Sequence, residues 1–195
     1  MDHVAGFDGF FRMNYNRPDA PVTVWGPAGT IDLMAHRFQG FVWNLHADQP
    51  GEWIVREIGR EKIATSRFLT REAFAPAHPQ PDRPRDSAVI HKGGSWHLEA
   101  RLLPHGSIDS VAYRVVESPR RNIDPAAMRY HNYLPGPWLR TISDEAEKDE
   151  ALVEIAGQSL RVGELRREFL VTSPGASLAY LTDFRLEPNT EDWAG

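Results

Sequence analysis

The sequence predicts an α/β protein, on three observations. Residues 22–25, Val-Thr-Val-Trp, are a β-branched and aromatic run closed by Gly26-Pro27-Ala28-Gly29, and Thr30 then caps a helix running to about Phe38. Strand, Gly-Pro turn and helix is the alternation of α/β proteins. Strand-like runs at 53–58 and 63–68 stand on either side of Gly59, and two more, at 88–91 and 96–103, flank the hairpin turn Lys92-Gly93-Gly94-Ser95. The totals agree with one globular domain: 195 residues, 41% of them apolar and 25% charged, suffice for a sizeable core.

Taken in order, the chain opens on Asp2-His3, directly before apolar residues at Val4, Phe7, Phe10 and Phe11. That spacing predicts a helix over 4–13, interrupted by Gly6 and Gly9 where another backbone comes close. Ligand-type side chains at a helix start suit a metal or an anion, because the first N–H groups are unpaired. The structural alternative makes Asp2 an N-cap and His3 a surface residue. Residues 14–21, with two prolines, are a connection. Residues 75–85 carry four prolines and are expected to be an exposed loop. Leu103-Pro104-His105-Gly106-Ser107 puts His105 at a turn between strands, the second running over 110–116. Ser118-Pro119-Arg120-Arg121 reads as a polar stretch, and Asp124-Pro125 starts a short helix to about Tyr130 that Leu134-Pro135-Gly136-Pro137-Trp138 breaks. Residues 144–150 form an acidic surface run, 152–160 a hairpin around Gly157, and 168–171 a strand. A buried strand over 177–182 then ends at Asp183, where α/β sheets place ligand carboxylates.

Composition limits the chemistry. With no cysteine there are no disulfides, thiolate metal sites or cysteine nucleophiles, so any metal must be held by the eight His and the 27 Asp and Glu. A net charge of −5 argues against a domain-wide basic surface. No apolar run reaches membrane-spanning length and no leader pattern opens the chain, so the expected location is cytoplasmic, with no membrane partner. His36, His46, His78, His91, His97 and His131 read as structural or surface residues.

Five segments together resemble the metallo-β-lactamase superfamily and, within it, the ribonuclease Z branch. Met1-Asp2-His3-Val4-Ala5-Gly6-Phe7 resembles the second half of the signature His-x-His-x-Asp-His. Residues 22–29 resemble the strand and Gly-Pro-x-Gly turn, and His105 with Tyr113-Arg114 the next ligand segment. Pro119-Arg120-Arg121 and Leu134-Pro135-Gly136-Pro137-Trp138 resemble the exosite region, and residues 177–183 the strand that delivers a bridging aspartate. The resemblance covers nearly the whole chain. It implies an incomplete metallo-β-lactamase fold, an αββα sandwich, as a single domain over 1–195. It also implies a site for two Zn2+ ions, or Mn2+ in their place. Asp2 and His3 would be ligands of the second metal, His105 of the first, and Asp183 would bridge both. Asp2 would also accept the proton of the attacking water.

The chain departs from this pattern at both ends. The His-x-His expected before Asp2 is absent, as are the ligand segments expected beyond Asp183, and four of seven usual ligands are present. The expectation is therefore a chain truncated at both ends, with an exposed sheet edge and impaired activity. The function implied for the parent protein is metal-dependent phosphodiester hydrolysis, endonucleolytic tRNA 3′ processing, with precursor tRNA as substrate and a homodimer as assembly. Two alternatives stand beside it: a metallo-hydrolase of small phosphodiesters, sulfates or esters, and a non-catalytic scaffold or interaction protein.

Overall fold

In a computed structural model, which describes residues 5–186, the chain is mixed α/β, with twelve short strands, five short α-helices and a 3-10 turn at Thr70–Glu72 among those residues. It divides into two compact units, Met1–Val115 with Leu178–Gly195, and Val116–Ser177.

The first unit holds two four-stranded sheets. One runs in the order β1 (Val22–Gly26), β2 (Glu52–Ile58), β3 (Lys62–Leu69), β4 (His78–Pro84), with β1 parallel to β2 and the other pairs antiparallel. Period-two alternation sorts β2 between two cores. Trp53 and Val55 point to helices α1 (Phe7–Asn14) and α2 (Thr30–Phe38) and join Phe11, Met34, Phe38, Phe68 and Phe74. Ile58, on the opposite face, packs with Ile63, Ile90, Ala100 and Val111. The last three belong to the second sheet, ordered β12 (Ser177–Tyr180), β7 (Ile108–Glu117), β6 (Trp96–His105), β5 (Val89–Lys92).

The second unit has its own core of Met128, Trp138, Ile142, Ile155, Val162, Leu165 and Phe169. Helix α3 (Pro125–Tyr130) starts as expected, with the Asp124 side chain accepting from the Ala126 N–H at 2.8 Å. Helix α4 (Trp138–Ser143) follows the Pro-Gly-Pro break. The hairpin β9 (Leu152–Ile155) and β10 (Gln158–Arg161) turns through Gly157 at φ +80°, a conformation natural to glycine.

Five expectations are corrected. The proline-rich stretch is an edge strand, β4, not a loop. Pro79 and Pro81 lie two residues apart and so share one side of the strand, and an edge needs no N–H donors on its outer side. The polar stretch after Pro119 becomes strand β8 (Arg120–Ile123), paired with β11 (Leu170–Ser173). Residues Val162–Phe169 form helix α5, which buries Val162, Leu165 and Phe169 along one face, so the strand read over 168–171 begins only at Leu170. Strand β12 is exposed along its length rather than buried. Thr30 does not cap α2: Gly29 occupies the cap position, and the Thr30 hydroxyl donates instead to the Pro27 carbonyl. Among the described residues no helix is long and apolar enough to cross a membrane.

Candidate functional site

The residues that meet come from four stretches of the first unit, with Phe7 of α1 as a fifth contributor. Around a cavity of about 480 Å3 stand the turn after β1, one face of α2, the β6–β7 hairpin and the segment after β12. The turn is tight because its residues are small. A Cβ on Gly26 would lie 2.3 Å from the Thr30 hydroxyl, and Gly29 sits at φ +89°. The Thr30 hydroxyl closes the turn on the Pro27 carbonyl at 2.6 Å, and the Ile31 N–H, an otherwise unpaired donor of the first helical turn, donates to Glu57 Oε1 at 2.7 Å. Helix α2 then lines the cavity with Thr30, Leu33, Met34 and Arg37, the i, i+3, i+4, i+7 stripe of one face.

His105 ends β6, and Gly106, at φ +65°, turns the chain back into β7. The segment carrying Asp183 is laced to this hairpin on both sides of the carboxylate. Ser110 and Thr182 share a hydroxyl–hydroxyl bond of 2.9 Å, and the Arg185 N–H donates to the Pro104 carbonyl at 2.7 Å. His105 and Asp183, 78 residues apart in sequence, therefore face one cavity. Phe7, in the first turn of α1, lines it too. Asp2 and His3 lie outside the described residues. Among the described residues no three His, Asp or Glu side chains gather as a metal centre. One imidazole and one carboxylate are a donor pair of the right chemistry for zinc, but half of the four ligands a zinc ion usually takes.

Three further residues of this cavity were not singled out as site residues from the sequence. Arg37 brings a guanidinium to it, 3.5 Å from Asp8 and over the Phe7 ring. Its sequence signal was the α2 stripe. Asp109 follows the hairpin turn. Tyr113 donates from its hydroxyl to the Trp25 carbonyl at 2.8 Å, tying β7 to the residue before the glycine turn. Burial pushes the Tyr113 phenol well above the ordinary tyrosine range. The sign follows: the folded protein holds this proton more tightly than the unfolded chain, so stability is full below about pH 10 and falls as pH rises beyond it. Tyr113→Phe is expected to remove this alkaline loss, about 1.4 kcal/mol in total between pH 9 and 11, from urea unfolding curves measured over that range. An unchanged slope would rule the buried phenol out as its source.

Five of the six other histidines have polar partners elsewhere, and the sixth, His91, lies with its ring 5.4 Å from that of Trp96. His36 and His46 bond through Nδ1 to the carbonyls of Asp32 and Arg71, at 2.7 and 2.9 Å. His78, His97 and His131 pair with Glu72, Glu99 and Glu168. These contacts agree with the structural reading of all five.

No protein-family profile matches the chain. It is similar to the ribonuclease Z of Deinococcus radiodurans, with 39% identity over 188 residues, which cover 96% of this chain. The match spans 55% of that relative's own length.

Proposed function

We propose that this chain carries part of a hydrolytic site for phosphodiesters, in a metallo-β-lactamase fold, and that the whole protein trims precursor tRNA at its 3′ side. The observation that supports this most is the lacing of residues 182–185 to the hairpin at His105, which presents Asp183 and His105 to one cavity beside the Gly26–Thr30 turn. In this reading Asp2, His3, His105 and Asp183 hold zinc, or manganese in its place. The metal, when bound, supplies Lewis-acid activation of the scissile phosphate and of water.

The chain's own residues do the rest. Asp183 contributes a positioned carboxylate, because the segment is anchored on either side of it, through the Thr182 hydroxyl and the Arg185 N–H. Arg37 offers a fork-shaped cation to phosphate oxygens at the cavity wall. Tyr113 holds the glycine turn at its depth, and Leu33 and Met34 make one side of the cavity apolar. Asp2 takes a proton from the attacking water.

The experiment compares two substrates. Supplied with zinc or manganese, the whole protein should cut precursor tRNA at its 3′ side and release nitrophenol from bis-p-nitrophenyl phosphate. Cleavage of the small ester alone would replace the tRNA assignment with a small-phosphodiester hydrolase. Cleavage of neither would overturn the catalytic reading in favour of a binding role.

A further inference from the structure

A second concavity, of about 360 Å3, lies on β2, β3 and β4, on the sheet face turned away from α1 and α2. Among the described residues its lining contains no Asp or Glu, whereas Arg56, Arg67 and Arg83 all reach it. Register puts them there. Trp25, Arg56, Thr65 and Gln80 stand opposite one another across the four strands, and Arg83 stands opposite Ile63 one row away.

The three cations differ in what they touch. Arg67 is neutralised by Glu52 through two hydrogen bonds, of 2.7 and 3.1 Å. Arg56 lies over the Trp25 ring, its guanidinium carbon 4.7 Å from the centroid, and its Nε is buried without a hydrogen-bond partner. Arg83 donates to the Ile90 carbonyl at 2.5 Å. Among the described residues neither Arg56 nor Arg83 has a carboxylate partner. Burial, and then the nearness of Arg83, lower the Arg56 pKa from the ordinary arginine value. Two like charges held together at a half-buried surface, one with an unmet donor, are an arrangement that an anion relieves.

We propose that this concavity is a phosphate site, in which Arg56 and Arg83 clamp one phosphate group and the Thr65 hydroxyl adds a third donor. Two guanidinium groups carry the charge that a phosphate dianion balances, and their planar forks match its oxygens. Trp25 holds the plane of Arg56 in advance, so little side-chain freedom is lost on binding. The site lies on residues separate from His105 and Asp183 and does not depend on the hydrolytic reading.

Inorganic phosphate is titrated into the protein at low ionic strength and followed by calorimetry, with a uridylate hexamer as competitor. Saturable binding is expected, weakened at least tenfold in the double variant Arg56→Gln, Arg83→Gln and unchanged in Arg129→Gln. Displacement by the hexamer would identify an RNA phosphodiester as occupant. Failure to displace would identify free phosphate. Should the double variant not fold, Arg83→Glu, at an exposed position, carries the test and should abolish binding. Absence of saturable binding, or equal affinity in wild type and variants, overturns the proposal.

Discussion

Asp183→Asn is expected to lower phosphodiester cleavage by about a thousandfold while leaving the unfolding midpoint within a few degrees of wild type. The two effects separate because asparagine keeps the shape of the side chain and the segment's two anchors lie on other residues. The segment is anchored by the Thr182 hydroxyl on Ser110 and by the Arg185 N–H on Pro104, and neither bond uses the carboxylate. Asparagine keeps the shape and removes the charge, so what is lost is the ability to hold a cation and order water. His105→Ala should behave similarly, since His105 is exposed at the end of β6 and fills no core. Steady-state rates on bis-p-nitrophenyl phosphate, measured beside thermal melts, decide it. Near-wild-type rates in Asp183→Asn would remove Asp183 from the site, and a collapse of the melt would make it a structural residue.

Phe38→Ala has the largest expected effect on stability, about 3–5 kcal/mol in urea unfolding. Phe38 is fully buried, with ring centroids of Phe11, Trp53, Phe68 and Phe74 at 5.1, 5.5, 5.1 and 4.8 Å. Truncation leaves a cavity walled by four large rings, which cannot all shift inward together. A loss of that size is a large part of the 5–15 kcal/mol that holds a typical domain, so the variant is expected to be partly unfolded at 37 °C. Val42→Ala, at a residue 96% exposed, should change stability by less than about 0.5 kcal/mol. A loss below 1 kcal/mol for Phe38→Ala would mean that this aromatic cluster does not carry the first unit.

Where local chemistry decides the structure, the sequence was readable. Helix α2 runs over the expected residues because Gly29 and the Thr30 hydroxyl set its start, and the Gly157 hairpin and the Asp124 cap follow from residues with narrow conformational uses. Tertiary context decided the rest. Proline normally argues against a strand, and β4 exists because β3 offers one side to pair with and solvent lies on the other. Helix α5 was hidden by Gly163, whose close approach to Asp149 makes a glycine useful there in spite of its poor helix propensity. The site was legible by parts. The motif resemblance pointed to His105 and Asp183, which share a cavity, but no periodicity could reveal that Tyr113 bonds the Trp25 carbonyl from 88 residues away.

The prolines of β4 also set the direction in which the first sheet can grow. A strand whose outer side lacks N–H donors at Pro79 and Pro81 offers an incoming chain no regular ladder, so templated stacking of one molecule on another is blocked along that border. The opposite border is β1, a proline-free run of Val22, Thr23, Val24, Trp25 and Gly26. Among the described residues no strand pairs with its outer side, and any additional strand, from this polypeptide or another, would be added there.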